Sequence, residues 1–264
     1  MTALGAVALL VAACAASGAG GGVLPAEGGA DYQLGGASDL PEGVSVVVRD
    51  VTAEPVAGAY SVCYVNGFQT QPGELDAWLA EAPQAILVAA GGEPVIDPEW
   101  PDEHALDTRT PQTRAAILDR RGRELEQCAD KGFDAVELDN LDAHTRFPGL
   151  TEAGALALAA AYIERAHDLG LAVAQKNVAE LAVRGPALGF DFAVVEECLA
   201  TDECGVYADA YGAEVIDVEY DLSDEEFDRR CAEAPNPRLT ILRDLELLPA
   251  GDDGRRYRAC PVAG

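Results

Sequence analysis

The chain reads as α/β, a single (β/α)8 barrel of the TIM type, and three observations carry that expectation. Short β-rich runs ending in polar or charged residues recur eight times, and capped helical patterns separate the later ones. The length of 264 residues is close to the ~250 typical of one such barrel, so a second domain is not required. The runs are VSVVVRD (44–50), YSVCYVN (60–66), ALDTR (105–109), DAVELDN (134–140), LAVAQKN (171–177), DFAVVEE (191–197), EVIDVEY (214–220) and LTILRD (239–244). From the fourth onward their spacing leaves room for one helix each, as alternating β and α units require. A further apolar run, ILVAAGG (86–92), is assigned to the connection between the second and third strands, with the third strand itself as the other option.

Helix ends are legible in the intervening segments. Thr110 followed by Pro111 supplies an N-cap and a first-turn proline, and Gly132 a stop. The next helix spans about Glu152 to Leu169 and halts at Gly170. A third begins at the cap Ser223, with acids in the first turn where they complement the helix dipole.

The N-terminal thirteen residues, MTALGAVALLVAA, are uncharged and too short to span a bilayer, which fits the core of a secretion signal. VAAC places small residues before Cys14 as in a lipoprotein lipobox, although no Lys or Arg precedes the apolar core. The expected organisation is a signal and lipobox over 1–14, a Gly/Ala-rich tether over 15–30, and the barrel over 31–264. That places the protein outside the cell, anchored to the outer face of a bacterial membrane through a lipid on Cys14, and as a monomer. Six further cysteines suit an oxidising compartment. They allow fifteen pairings, and the one put forward is Cys63 with Cys128, Cys198 with Cys204, and Cys231 with Cys260.

A formal net charge of -28, from 46 acidic and 18 basic residues, repels nucleic acid and anionic membranes and favours a cationic or neutral partner. No GxGxxG or Walker loop stands where a strand meets a helix, so no phosphate-cradling motif is read. None of the five serines sits in a GxSxG turn, which argues against a serine hydrolase. No CxxC pair exists, and His104, His144 and His167 have no ligand spacing to the cysteines, so no metal site is assigned.

In a parallel barrel the C-terminal strand ends open onto the functional face. Gathered there are Asp50, Tyr64, Asn66, Asp107, Glu137, Asp139, Lys176, Asn177, Glu196, Glu197 and Glu219. The side-chain period of two puts Glu137 and Asp139 on one face. Two convergent carboxylates are what glycoside hydrolysis needs, and crowding raises the proton affinity of one member of a pair. Lys176, one of two lysines, could hold a carboxylate ionised. A magnesium-dependent barrel enzyme and a non-catalytic carbohydrate-binding barrel are the competing readings.

The blocks YQLGGASDLPEGVSVVVRD, YSVCYVNGFQTQPGE, FDAVELDNLD, GLAVAQKN, FDFAVVEECLATDECGVY and VIDVEY, in this order over about 31–244, resemble glycoside hydrolase family 114. The resemblance implies a secreted barrel that cleaves internal α-1,4 linkages of galactosamine-containing polysaccharide without a cofactor. It carries the catalytic pair onto Asp139 and Glu197, with Glu196 as the nearest rival. It also implies that Tyr64, Asn66, Lys176, Asn177 and Glu219 line the sugar subsites. If the second carboxylate instead came from the seventh strand, Glu219 would take its place. A de-acetylated amino-sugar polymer is cationic, and the acidic chain would attract it.

Overall fold

The structure, a computed structural model, describes residues 23–233 and 236–261. The leader, Cys14 and the first half of the tether, 15–22, lie outside the described residues. Eight strands run parallel in chain order: β1 (Gly29–Gln33), β2 (Val44–Asp50), β3 (Tyr60–Val65), β4 (Ala135–Leu138), β5 (Ala172–Lys176), β6 (Phe192–Glu196), β7 (Val215–Glu219) and β8 (Leu239–Arg243). A ninth, β9 (Tyr257–Ala259), pairs antiparallel with β8. The seam between β8 and β1 is closed by side chains. Arg243 donates to Asp31 Oδ1 at 2.6 Å and to the Tyr32 carbonyl, and the Tyr257 hydroxyl donates to the Ala30 carbonyl at 2.9 Å. The result is a nearly closed TIM-type barrel.

Alternation along the strands sorts the core into two shells. Ala30, Val46, Val48, Val62, Ala135, Ala174, Phe192, Val194, Ile216, Val218, Leu239 and Ile241 pack together inside the cylinder. Their strand neighbours, including Cys63, Val136, Val173, Val195, Val215 and Leu242, pack outward with the helices. Burying each Val, Leu, Ile or Phe among them contributes about 1.5–3 kcal/mol, so the parity of these strands is fixed by their apolar middles before any polar end residue has a say.

The helices in chain order are α1 (Leu75–Glu81), α2 (Pro111–Lys131), α3 (Ala143–Arg146), α4 (Glu152–Asp168), α5 (Ala179–Ala182), α6 (Gly185–Leu188), α7 (Cys204–Tyr211) and α8 (Asp224–Cys231). The caps read from sequence are present. Thr110 accepts from the Thr113 amide, Ser223 accepts from the Glu226 amide, and α2 stops at Gly132 with φ 89°. All three disulfides pair as put forward: Cys63–Cys128, Cys198–Cys204 and Cys231–Cys260. The first ties β3 to α2 and the third ties the end of α8 to the segment after β9.

Two expectations need correction. ALDTR (105–109) is not a barrel strand. Ala105 and Leu106 make only isolated bridges to Gln69 and Ile86, inside the long connection from β3 to α2. Buried Ala and Leu with regular spacing look alike in a strand and in a packed loop, which is why the run misled. The eighth barrel strand is β1, formed from GADYQ at the border of the presumed tether. Its flanking glycines hid it, and the ordered chain already reaches Leu24, which is buried with its amide on Glu214. ILVAAGG lies in the β3–α2 connection, with Ile86 and Leu87 buried there.

Candidate active site

Continuing each strand's inward parity to its C-terminal end gives the site. Ala30 leads to Tyr32, Val62 to Tyr64, Ala135 to Glu137 and Asp139, Ala174 to Lys176, Val194 to Glu196, and Ile216 and Val218 to Tyr220. These seven side chains meet at the mouth around the Lys176 ammonium. Its Nζ lies 2.8 Å from Glu137 Oε1, 3.2 Å from Asp139 Oδ1 and 3.5 Å from Glu196 Oε2. Asp139 and Glu196 are therefore no further apart, oxygen to oxygen, than those last two contacts laid end to end. Three tyrosines complete the set. Tyr32 donates to Glu137 Oε1 at 2.7 Å, Tyr64 to Asp139 Oδ2 at 2.6 Å, and Tyr220 to Glu196 Oε1 at 2.7 Å.

Charge and burial separate the roles of the three acids. Glu137 is sealed from solvent and Lys176 nearly so, whereas the Asp139 and Glu196 side chains keep 19% and 30% exposure and can meet a substrate. Burial pushes the Glu137 carboxyl up to about 7, against the pull of Lys176, with the Asp139 charge adding to the rise. Burial would raise Asp139 too, but Lys176, the Tyr64 hydroxyl and the Asn140 amide outweigh it and hold it below the usual carboxylate range. Burial draws Lys176 down, yet Asp139, Glu137 and Glu196 together carry it well above an ordinary lysine. The ammonium is permanent at any physiological pH. It fills the centre of three carboxylates, the place a magnesium ion would need, so the residues do not suit the magnesium reading.

Three consecutive strands end in the same device. Asn140, Asn177 and Glu197, each directly after an inward-facing member of the site, have φ of 65°, 48° and 59°. The left-handed turn costs about 1 kcal/mol or more at a non-glycine residue. It swings the backbone off the strand immediately after the functional side chain. The two asparagines also serve the site. The Asn140 amide donates to Asp139 Oδ1 at 2.7 Å, and Asn177 Nδ2 donates to Glu196 Oε2 at 3.1 Å while its Oδ1 accepts from the Glu196 amide.

The remaining sequence candidates are distributed differently. Glu197 has the opposite parity: its amide pairs with the Val218 carbonyl, and its carboxyl, raised by burial, feels Asp221 and Glu196 and has no contact with Lys176. Adjacent residues of a strand point to opposite faces, and that decides between Glu196 and Glu197 as the partner of Asp139 at the ammonium. Glu219 also points outward. It accepts from the Leu199 amide at 2.7 Å and is buried beside Asp217 under the Cys198–Cys204 loop. Asn66 is buried behind the site, where its Oδ1 holds Asn140 Nδ2 at 2.9 Å. Asp50 is engaged by Thr52 and Gln71 at the end of β2. Asp107, assigned to a strand that does not form, pairs with Arg109 in the long loop. Among the described residues, Cys198, Cys204 and Asp217 lie close enough to ligate a metal, but the two sulfurs are bonded to each other.

Sequence reasoning missed Tyr32 and Tyr220. Tyr32 fell beside the presumed tether, and Tyr220 follows Glu219 and was passed over for the acid. The parity of Ile216 and Val218 would have found it.

A model of glycoside hydrolase family GH114 matches residues 11–262. The chain belongs to glycoside hydrolase family 114. No curated protein matches it. This family 114 chain is similar in fold to the crystal structure of Aspergillus fumigatus Ega3 in complex with galactosamine, with a TM-score of 0.69 and 18% identity over 88% of this chain and 95% of that one. It is also similar to the glycoside hydrolase domain of PelA from Pseudomonas aeruginosa, with a TM-score of 0.57 and 17% identity over 84% of this chain and 96% of that one. Membership makes it a glycoside hydrolase, and the two carboxylates at the mouth are where that chemistry is to be sought.

Proposed function

We propose that this hydrolase is secreted and cleaves internal α-1,4 linkages of a galactosamine-containing polysaccharide, with Asp139 and Glu196 as its working carboxylates. The observation that carries the reading is one ammonium, Lys176, in contact with both acids at the mouth of a barrel. Asp139, kept ionised, attacks the anomeric carbon. Glu196, the more exposed acid and the one that Tyr220 and Asn177 orient, donates its proton to the departing oxygen. It then takes a proton from the water that releases the sugar from Asp139. Close spacing around a shared ammonium favours this retaining route over an inverting one, which must leave room for a water between the carboxylates.

The substrate reading draws on the family, on the galactosamine named with the Ega3 structure, and on a net charge of -28 that would hold a cationic polymer. Three disulfides support an oxidising compartment. No helix among the described residues is long and apolar enough to cross a membrane. Lipidation of Cys14 is the anchoring we propose, with the barrel itself monomeric. Incubation with poly-α-1,4-galactosamine tests the activity. An endo-hydrolase lowers mean chain length early, before monosaccharide accumulates, and does so equally in a chelator. Polymer of unchanged length would refute the reading.

A further inference from the structure

Joined to Asn140 through Asn66 stands a carboxyl that the two-acid reaction does not use. Glu103, in the long β3–α2 connection, is only 9% exposed. Its Oε2 accepts from Asn66 Nδ2 at 2.8 Å and from Gln69 Nε2 at 3.3 Å. Its Oε1 accepts from nothing among the described residues and keeps contact with solvent. No cation among the described residues forms an ion pair with it. Arg146 of α3, the cation whose field reaches it, is committed to Asp97 and Asp142. The charges that face it are otherwise acidic, Asp139 after β4 and Asp97 in its own connection, with the Tyr64 phenol nearby and His104 next in the chain. Burial, with these charges adding, pushes its carboxyl up to about 7.

An uncompensated acid buried beside a catalytic acid is costly, and a site for neutral sugars would be better served by an amide. The two amides that clamp Oε2 fix the group in position while leaving the other oxygen free. We infer that Glu103 receives the ammonium of a sugar unit bound at the mouth, and that this contact selects free amine over N-acetyl amine. The inference rests on the amino-sugar reading and adds the residue that enforces it. An acetamido group brings no charge to Glu103 and sets a methyl against it, so acetylated units lose the contact.

The test compares kcat/KM on poly-α-1,4-galactosamine and on its N-acetylated form for the wild type, Glu103→Gln and Glu103→Asp. The glutamine oxygen can keep both amide hydrogen bonds, so a melting temperature close to wild type certifies the fold. The expected result is at least a tenfold fall in the amine-over-acetyl ratio in Glu103→Gln, mainly through KM, with partial recovery in Glu103→Asp. Equal losses on both polymers would overturn the assignment while the hydrolase reading stands. Wild type that cuts neither polymer would remove both.

Discussion

Lys176 is the residue on which the site turns, because one ammonium offsets three carboxylates. Truncating it to Met should leave Glu137 buried without its cation, and breaking a buried pair in this way costs about 3–5 kcal/mol. Thermal unfolding would show the loss, and Glu137→Gln in the same chain should restore part of it. At Tyr220 the expected effect is on rate. Tyr220→Phe removes the hydrogen bond that aims Glu196 and should lower kcat by about tenfold or more through misplacement alone, with melting temperature nearly unchanged. Unaltered kcat would mean that Glu196 needs no aiming. At this scale most of the site was readable. Asp139, Lys176, Glu137 and Tyr64 follow from strand-end parity, and Lys176 stood out as one of two lysines. The choice between Glu196 and Glu197 was not readable, because a strand boundary uncertain by one residue exchanges the two faces.

Elements show why the rest was hidden. β1 is short, glycine-flanked and interrupted by polar Asp31 and Gln33, whose outward side chains bind Arg243, Arg255 and Arg49 rather than apolar helix faces. A strand whose outer face is an ionic network lacks the hydrophobic alternation that announces strands elsewhere. Behind β6 and β7 lies a second buried acid pair. Burial raises Asp217 well above a normal aspartate, and the neighbouring Glu219 raises it further, so that a proton on Asp217 joins their otherwise orphaned oxygens. A group with a raised folded pKa contributes stability that is complete below its unfolded pKa, near 4, and is lost as pH climbs through the folded value. The protein should therefore lose stability progressively as pH rises above the ordinary aspartate range and Asp217 is driven to ionise. Asp217→Asn, neutral at every pH, should flatten that decline in a melting-temperature series from pH 5 to pH 9. An unchanged slope would place the sensitivity elsewhere.

For the whole molecule, closure and charge are the governing facts. Arg243 and Asp31, both fully buried, bridge the one seam where two parallel strands do not pair, and Arg243→Met should destabilise the barrel, measured as a lower melting temperature, because buried Asp31 then keeps Arg255 as its only cation. The net charge of -28 acts at longer range. With a cationic polymer, KM should rise as salt is taken from 0.05 to 0.5 M, while kcat on a bound chain changes little, because the screening length falls below the dimensions of the mouth. Fold class, the later strands and the caps could be read from the residues, since each is local or repeats along the chain; the three disulfides pair as put forward, but fifteen pairings were open and the residues alone did not choose among them. The β1–β8 closure and the loop that carries Glu103 depend on contacts between distant segments and could not. The central claim is that Asp139 and Glu196 act as one pair across Lys176. Hydrolysis of poly-α-1,4-galactosamine by Asp139→Asn, Glu196→Gln and Glu197→Gln, each shown to be folded, tests it most directly. The account predicts that the first two fall by at least a thousandfold while Glu197→Gln stays within about tenfold of wild type. An inactive Glu197→Gln beside an active Glu196→Gln would contradict it.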